Sequence, residues 1–197
     1  MIEIQLLEIA GFASALKALH LPFGKKCDSY VEAQNYDCFD VLSPDIERLG
    51  GDWRVFVSNH DKDLLMRLVK AGDEHAKVVR GIVAWLDINA PRYWWAEFDT
   101  YRIGREQLAS ESTMHIQGKG LNEEELVRMK SELHEGTMQR RVQMISYQTL
   151  RRMWLQRRTH RLPEWRMFCK WVEKLPFSWL ITNIDNKKQK DEWHKHE

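Results

Sequence analysis

The sequence is short of the features that mark several protein classes. Its 197 residues include only 3 Cys and 5 Pro. They contain no uninterrupted apolar run of the roughly 18 residues that a membrane-spanning helix needs. Cys27, Cys38 and Cys169 show no C-x-x-C spacing and cannot all pair within one chain, which points to reduced thiols in a cytoplasmic setting. The opening Met-Ile-Glu-Ile lacks the basic region of a secretory leader. Charge of one sign is also missing: 30 Lys+Arg stand against 29 Asp+Glu, a net charge of +1, which argues against a surface built wholly for polyanions. Gly24-Lys25 lacks the upstream glycine of a phosphate loop, and no serine-centred nucleophile elbow occurs.

What is present is an apolar fraction of 43% and an aromatic fraction of 11%, enough for a sizeable core and too much for disorder. Alternation from Ile2 to Ile9 predicts a strand, and Phe12–Leu19 a short helix stopped by Pro22 and Gly24. Lys25–Asp52 is irregular, and Trp53–Ser58 reads as a second strand. Asp61 is placed to cap a helix with Leu64, Leu65, Leu68 and Val69 on one face, ended by Gly72. Val78–Ile88 suits either a strand or a helix and is closed by Pro91, while Arg92–Arg102 carries an aromatic stripe at helical spacing. Asn122 followed by three glutamates opens another helix, whose end Gly136 would mark. A long helix is expected from Thr137 to about His160, and a further one from Pro163 to Glu173. The fold class read from this pattern is α+β, with residues 1–185 as one domain and 186–197 as a polar, frayed tail.

Chemistry concentrates in two stretches. Between Gln139 and Arg161 lie Arg140, Arg141, Arg151, Arg152, Arg157, Arg158 and Arg161 with no acid among them, a set able to grip phosphate oxygens. The competing reading is a solvated helix face paired with Glu123, Glu124, Glu125, Glu132 and Glu135. From Phe98 to His115 polar and small residues follow an aromatic helix, a place suited either to ligand contact or to an ordinary loop. Cys169 reads as a buried structural thiol, and His194 with His196 as solvated tail residues rather than metal ligands.

Several blocks resemble the flavin-dependent thymidylate synthases, especially their divergent, phage-type members. Thr100-Tyr101-Arg102, seven residues and Ser110 follow the spacing of that family's Arg-His-Arg, seven residues, Ser signature. Glu97 occupies the place of a glutamine on the preceding aromatic helix, and Ala71-Gly72-Asp73-Glu74-His75 is similar to an Ala-Gly-His-Glu turn that a strand follows. Leu150–Arg166 resembles the leucine-arginine helix that leads into an Ala-Gln-Trp-Glu-Ile-type helix, with Arg158 on the nucleotide-binding arginine. Thr100, Tyr101, Leu108, Ser112 and Val79 depart from the pattern.

The resemblance implies a small antiparallel sheet with long C-terminal helices, and a pyrimidine nucleotide such as dUMP held by Arg102, Arg105, Ser110 and Arg158. It puts Glu97, Tyr101 and His75 on the side of a flavin cofactor, FAD, with methylene-tetrahydrofolate as carbon donor if the family's methylation is retained. It further implies homotetramers with sites built between subunits. The alternative is a non-catalytic nucleotide-binding or regulatory protein that keeps this fold. Single-stranded nucleic acid, with Trp154 as a stacking ring, is the third and least favoured reading given the near-zero net charge.

Overall fold

A computed structural model describes residues 1–24, 30–33 and 53–183. Most of the irregular stretch from Lys25 to Asp52, with Cys27 and Cys38, and the tail with His194 and His196 lie outside the described residues.

The framework is a four-stranded antiparallel sheet made from β1 (Glu3–Ala10), β4 (Val83–Pro91), β5 (Arg105–Ser110) and β6 (Met138–Ser146) in the order β1-β4-β6-β5. A separate antiparallel pair joins β2 (Tyr30–Ala33) to β3 (Trp53–Phe56). The helices are α1 (Phe12–His20), α2 (Asn59–Ala71), α3 (Arg92–Phe98), α4 (Thr113–Ile116), α5 (Glu123–Ser131), α6 (Tyr147–Arg157), α7 (Pro163–Val172) and α8 (Trp179–Thr182). Among the described residues no helix is long and apolar enough to cross a membrane.

β4 organises the sheet because alternate residues meet opposite environments. Ala84, Leu86, Ile88 and Ala90 are fully buried on one face, and Val83, Trp85, Asp87 and Asn89 keep partial exposure on the other. The register continues this face across all four strands, from half-buried Leu6 opposite buried Leu86, through buried Gln143, to exposed Gln107 on the edge strand. Pro91 ends β4 and occupies the cap position of α3, where its missing N–H costs no helical bond. α3 then lays Trp94, Trp95 and Phe98 into the core beside Trp165 and Phe168 of α7. Trp94 lies 4.8 Å from Trp165 and 4.9 Å from Phe98, centroid to centroid, so these rings lock the two helices together.

Several sequence expectations change. The segment 138–146 is a strand and not the start of a long helix; helix begins only at Tyr147, where Ser146 accepts from the Thr149 amide as the cap. Met, Gln and Arg favour helix locally, but pairing with β4 on one side and β5 on the other decides the outcome. The polar segment after Phe98 contains β5 and the start of α4, so it is not simply a loop. α3 stops at Phe98, and α5 stops at Ser131, short of Gly136. Ser58, not Asp61, caps α2; Asp61 is fully buried and bonds His20 Nε2 at 2.6 Å. Lys77–Gly81 forms a 3-10 turn and Val83 onward the strand, which resolves the ambiguous Val78–Ile88 segment mainly as strand. The capping box at Asn122 and Glu125 forms as the sequence requires.

Candidate functional site

The inner face of the sheet is apolar over β1 and β4 and polar over β6 and β5. Gln139, Arg141 and Gln143 alternate inward along β6, and Arg105, Gln107 and Ser110 share that face on β5. Arg105 donates to Asp99 Oδ1 at 2.8 Å, to Gln143 Oε1 at 2.9 Å and to the Tyr101 carbonyl. Arg141 donates to Asp99 Oδ2 at 3.0 Å and to Gln107 and Gln139. Each guanidinium also lies over a ring, Arg105 over Phe98 at 5.1 Å and Arg141 over Trp95 at 4.5 Å. Asp99 thus neutralises two largely covered cations and fixes the turn that leads into β5. Gly104, at φ 78°, lets this turn press onto α6: a Cβ there would lie 2.7 Å from Ser146 Oγ and collide with Thr149 Oγ1.

A second polar cluster sits where α3, α6 and α7 meet. Glu97 Oε2 accepts from Arg157 Nη1 at 2.7 Å and from Trp165 Nε1 at 2.9 Å, with His160 Nε2 at 3.5 Å. Arg157 Nε donates to the Tyr101 hydroxyl at 2.9 Å, and that hydroxyl donates to Gln156 at 2.7 Å. Burial pushes the Tyr101 phenol above its ordinary range, partly opposed by its bond to Arg157. Arg157 further lies over Trp165 at 4.9 Å and over Tyr101 at 5.7 Å.

The residues singled out from sequence do not all meet. Glu97 and Tyr101 come together through Arg157. Arg102, three residues before β5, and Ser110, its last residue, are exposed, without a side-chain bond to any described residue. Arg158 caps the end of α6 and lies over Trp154 at 4.8 Å, beside the indole that donates to Glu173. His75 is exposed in the turn after α2. Sequence reasoning passed over Trp165 and Asp99 as site residues and named Arg157 only as one of the seven clustered arginines. Arg157 and Trp165 lay inside the Leu150–Arg166 block, but only the fold shows that they converge on Glu97.

The arginine-rich stretch is not one solvated face paired with the α5 glutamates. Arg140 pairs with Asp87, Arg141 with Asp99, Arg152 with Asp73 and Arg157 with Glu97. Arg151 is buried and donates to the carbonyls of Ile181, Asn183 and Val69, tying α6 to α8 and α2; burial lowers its pKa below the ordinary arginine value. Cys169 is a buried thiol, as its position on α7 suggested, and burial pushes its pKa up to about 12. Among the described residues no group of acids, histidines and cysteines could hold a metal ion.

No family model matches the chain, and no curated protein matches it by sequence. Solved structures do match. Flavin-dependent thymidylate synthase ThyX from Helicobacter pylori, complexed with FAD and dUMP, is similar over 92% of this chain and 98% of its own, with a TM-score of 0.63 at 13% identity. A UMP/dUMP methylase, PolB from Streptomyces cacaoi, bound with 5-Br dUMP, is similar over 89% of this chain and 92% of its own, with a TM-score of 0.55 at 13% identity. The architecture is therefore the ThyX-like fold, a small antiparallel sheet flanked by helices.

Proposed function

We propose that the protein binds a pyrimidine nucleotide of the dUMP type, with Ser110 on its phosphate and Arg102 and Arg158 as contacts to its base or phosphate. The observation that carries this reading is a pair of exposed groups without partners among the described residues, a guanidinium at 102 shortly before β5 and a hydroxyl at 110 at its end, on a fold whose solved counterparts hold dUMP. Such groups keep their full hydrogen-bonding capacity for an incoming phosphate. Arg105 is spent on Asp99, Gln143 and the Tyr101 carbonyl, so its part is to hold the turn that presents Arg102.

Of the residues placed on the flavin side, Glu97 and Tyr101 bring no positive charge to FAD. A dinucleotide brings a pyrophosphate, yet Glu97 is an acid already tied to Arg157, and the Tyr101 hydroxyl already accepts from Arg157 and donates to Gln156. Only His75 of the three could become cationic. No step is therefore routed through a flavin or a folate. The second reading, flavin-dependent methylation of the base, has the near full-length similarity to the FAD-bound ThyX structure in its favour. Self-association into a tetramer is proposed on the resemblance alone, and light scattering of the pure protein decides it.

Thermal melting with and without dUMP, followed by desalting after addition of FAD, separates these readings. The expected result is a colourless protein whose melting temperature rises with dUMP, because a ligand that binds only the folded state stabilises it. Stoichiometric retained FAD absorbance would restore the second reading. Absence of any nucleotide shift would remove the first. Arg158→Ala is expected to weaken dUMP binding while leaving the chain folded.

A further inference from the structure

Glu97 and Arg157 are each only half engaged. Oε2 of Glu97 takes two donors, whereas Oε1 has no partner among the described residues. Arg157 spends Nε on Tyr101 and Nη1 on Glu97, with His160 Nε2 also 2.8 Å from Nη1, and Nη2 has no partner among the described residues. The Glu97 side chain keeps 34% of its surface and that of Arg157 20%, so both reach solvent. Neither can turn freely: Trp165, itself fully buried, holds the carboxylate by its indole N–H and the guanidinium by its face. The result is a fixed acceptor beside a fixed donor, walled by the rings of Tyr101 and Trp165.

An amide at position 97 could offer a ligand either a lone pair or an N–H. A carboxylate offers only lone pairs. The pairing edge of uracil runs carbonyl, N–H, carbonyl; that of cytosine runs carbonyl, ring nitrogen, amino group. A carboxylate oxygen next to a guanidinium repeats the acceptor-then-donor order of guanine, which the amino group and ring nitrogen of cytosine complement. Uracil can give its one N–H to the carboxylate, but a carbonyl oxygen then faces the same negative charge.

We propose that the Glu97–Arg157 pair reads the base edge of the bound nucleotide and selects cytosine over uracil. This rests on the nucleotide-binding reading above and names its substrate class as a cytidine nucleotide. The glutamate is then a specificity-determining residue and not a remnant of a flavin site.

Calorimetry of the full chain with dCMP and with dUMP tests it. The wild type is expected to bind dCMP at least tenfold more tightly. Glu97→Gln, which can donate to a carbonyl, is expected to reduce that preference to twofold or less, or to invert it. Equal or tighter binding of dUMP by the wild type overturns the proposal while leaving the nucleotide-binding reading intact. So does an unchanged preference in a folded Glu97→Gln protein. If neither nucleotide binds, both fall together. Should Glu97→Gln fail to fold, the wild-type comparison still decides, because it needs no variant.

Discussion

Leu86 and Gln143 stand directly opposite each other on neighbouring strands, both fully buried on the same face of the sheet, and they belong to different worlds. Around Leu86, on β1 and β4, the inward residues are Ile4, Leu6, Ala84, Ile88 and Ala90, which need nothing but close packing. Around Gln143, on β6 and β5, they are Gln139, Arg141, Arg105 and Gln107, tied together through Asp99. One sheet thus has an apolar half held by packing and a polar half held by hydrogen bonds and ion pairs. The polar half keeps its place because its buried donors and acceptors satisfy one another; left single, each would carry a desolvation penalty.

Substitutions and pH can break or sharpen this contrast. The largest effect is expected from Leu86→Ala, which leaves a cavity in the apolar half and should lower stability by about 2–5 kcal/mol in denaturant melts, with the affinity of the folded fraction unchanged. Gln143→Leu keeps the volume but strips Arg105 of an acceptor and Gln107 of a donor, a loss of about 1–3 kcal/mol. A loss as large as that of Leu86→Ala would mean that both halves hold the fold equally.

Cys169, in the aromatic layer over the sheet, supplies a pH marker. Its pKa rises from an ordinary 9.0 to about 12 in the folded chain. Between these values the unfolded thiol ionises while the folded one stays protonated, so stability falls as pH rises, by about 1.4 kcal/mol per pH unit from this group. Melts from pH 9 to pH 11 of the wild type and Cys169→Ala should differ by that slope, and parallel curves would show that water reaches the layer. The smallest stability effect belongs to Arg102→Ala, within about 0.5 kcal/mol because the side chain is exposed and has no partner among the described residues. Its nucleotide affinity should nevertheless drop measurably in calorimetry.

Much of the fold was legible where the cause is local. Asn122 with Glu125, Pro163 at a helix start and Gly72 at a helix end act within a few residues, and each marks the boundary its chemistry demands. The alternation of Ile2–Ile9 likewise survives as β1. The site was legible only as residue types. Arg102, Ser110 and Arg158 could be named only through the family resemblance, and nothing near Glu97 in sequence reveals that its partners are Arg157 and Trp165, 60 and 68 residues away.

By itself the sequence determined the helix caps, the amphipathic faces, the aromatic core residues and the near-neutral charge, because these follow from single residues and short-range periodicity. Only the tertiary structure decided that residues 138–146 are a strand and that the arginines pair with Asp73, Asp87, Asp99 and Glu97. Strand pairing draws its stability from neighbours far along the chain, and an ion pair from whichever acid the fold brings within reach, so neither is written in any local window.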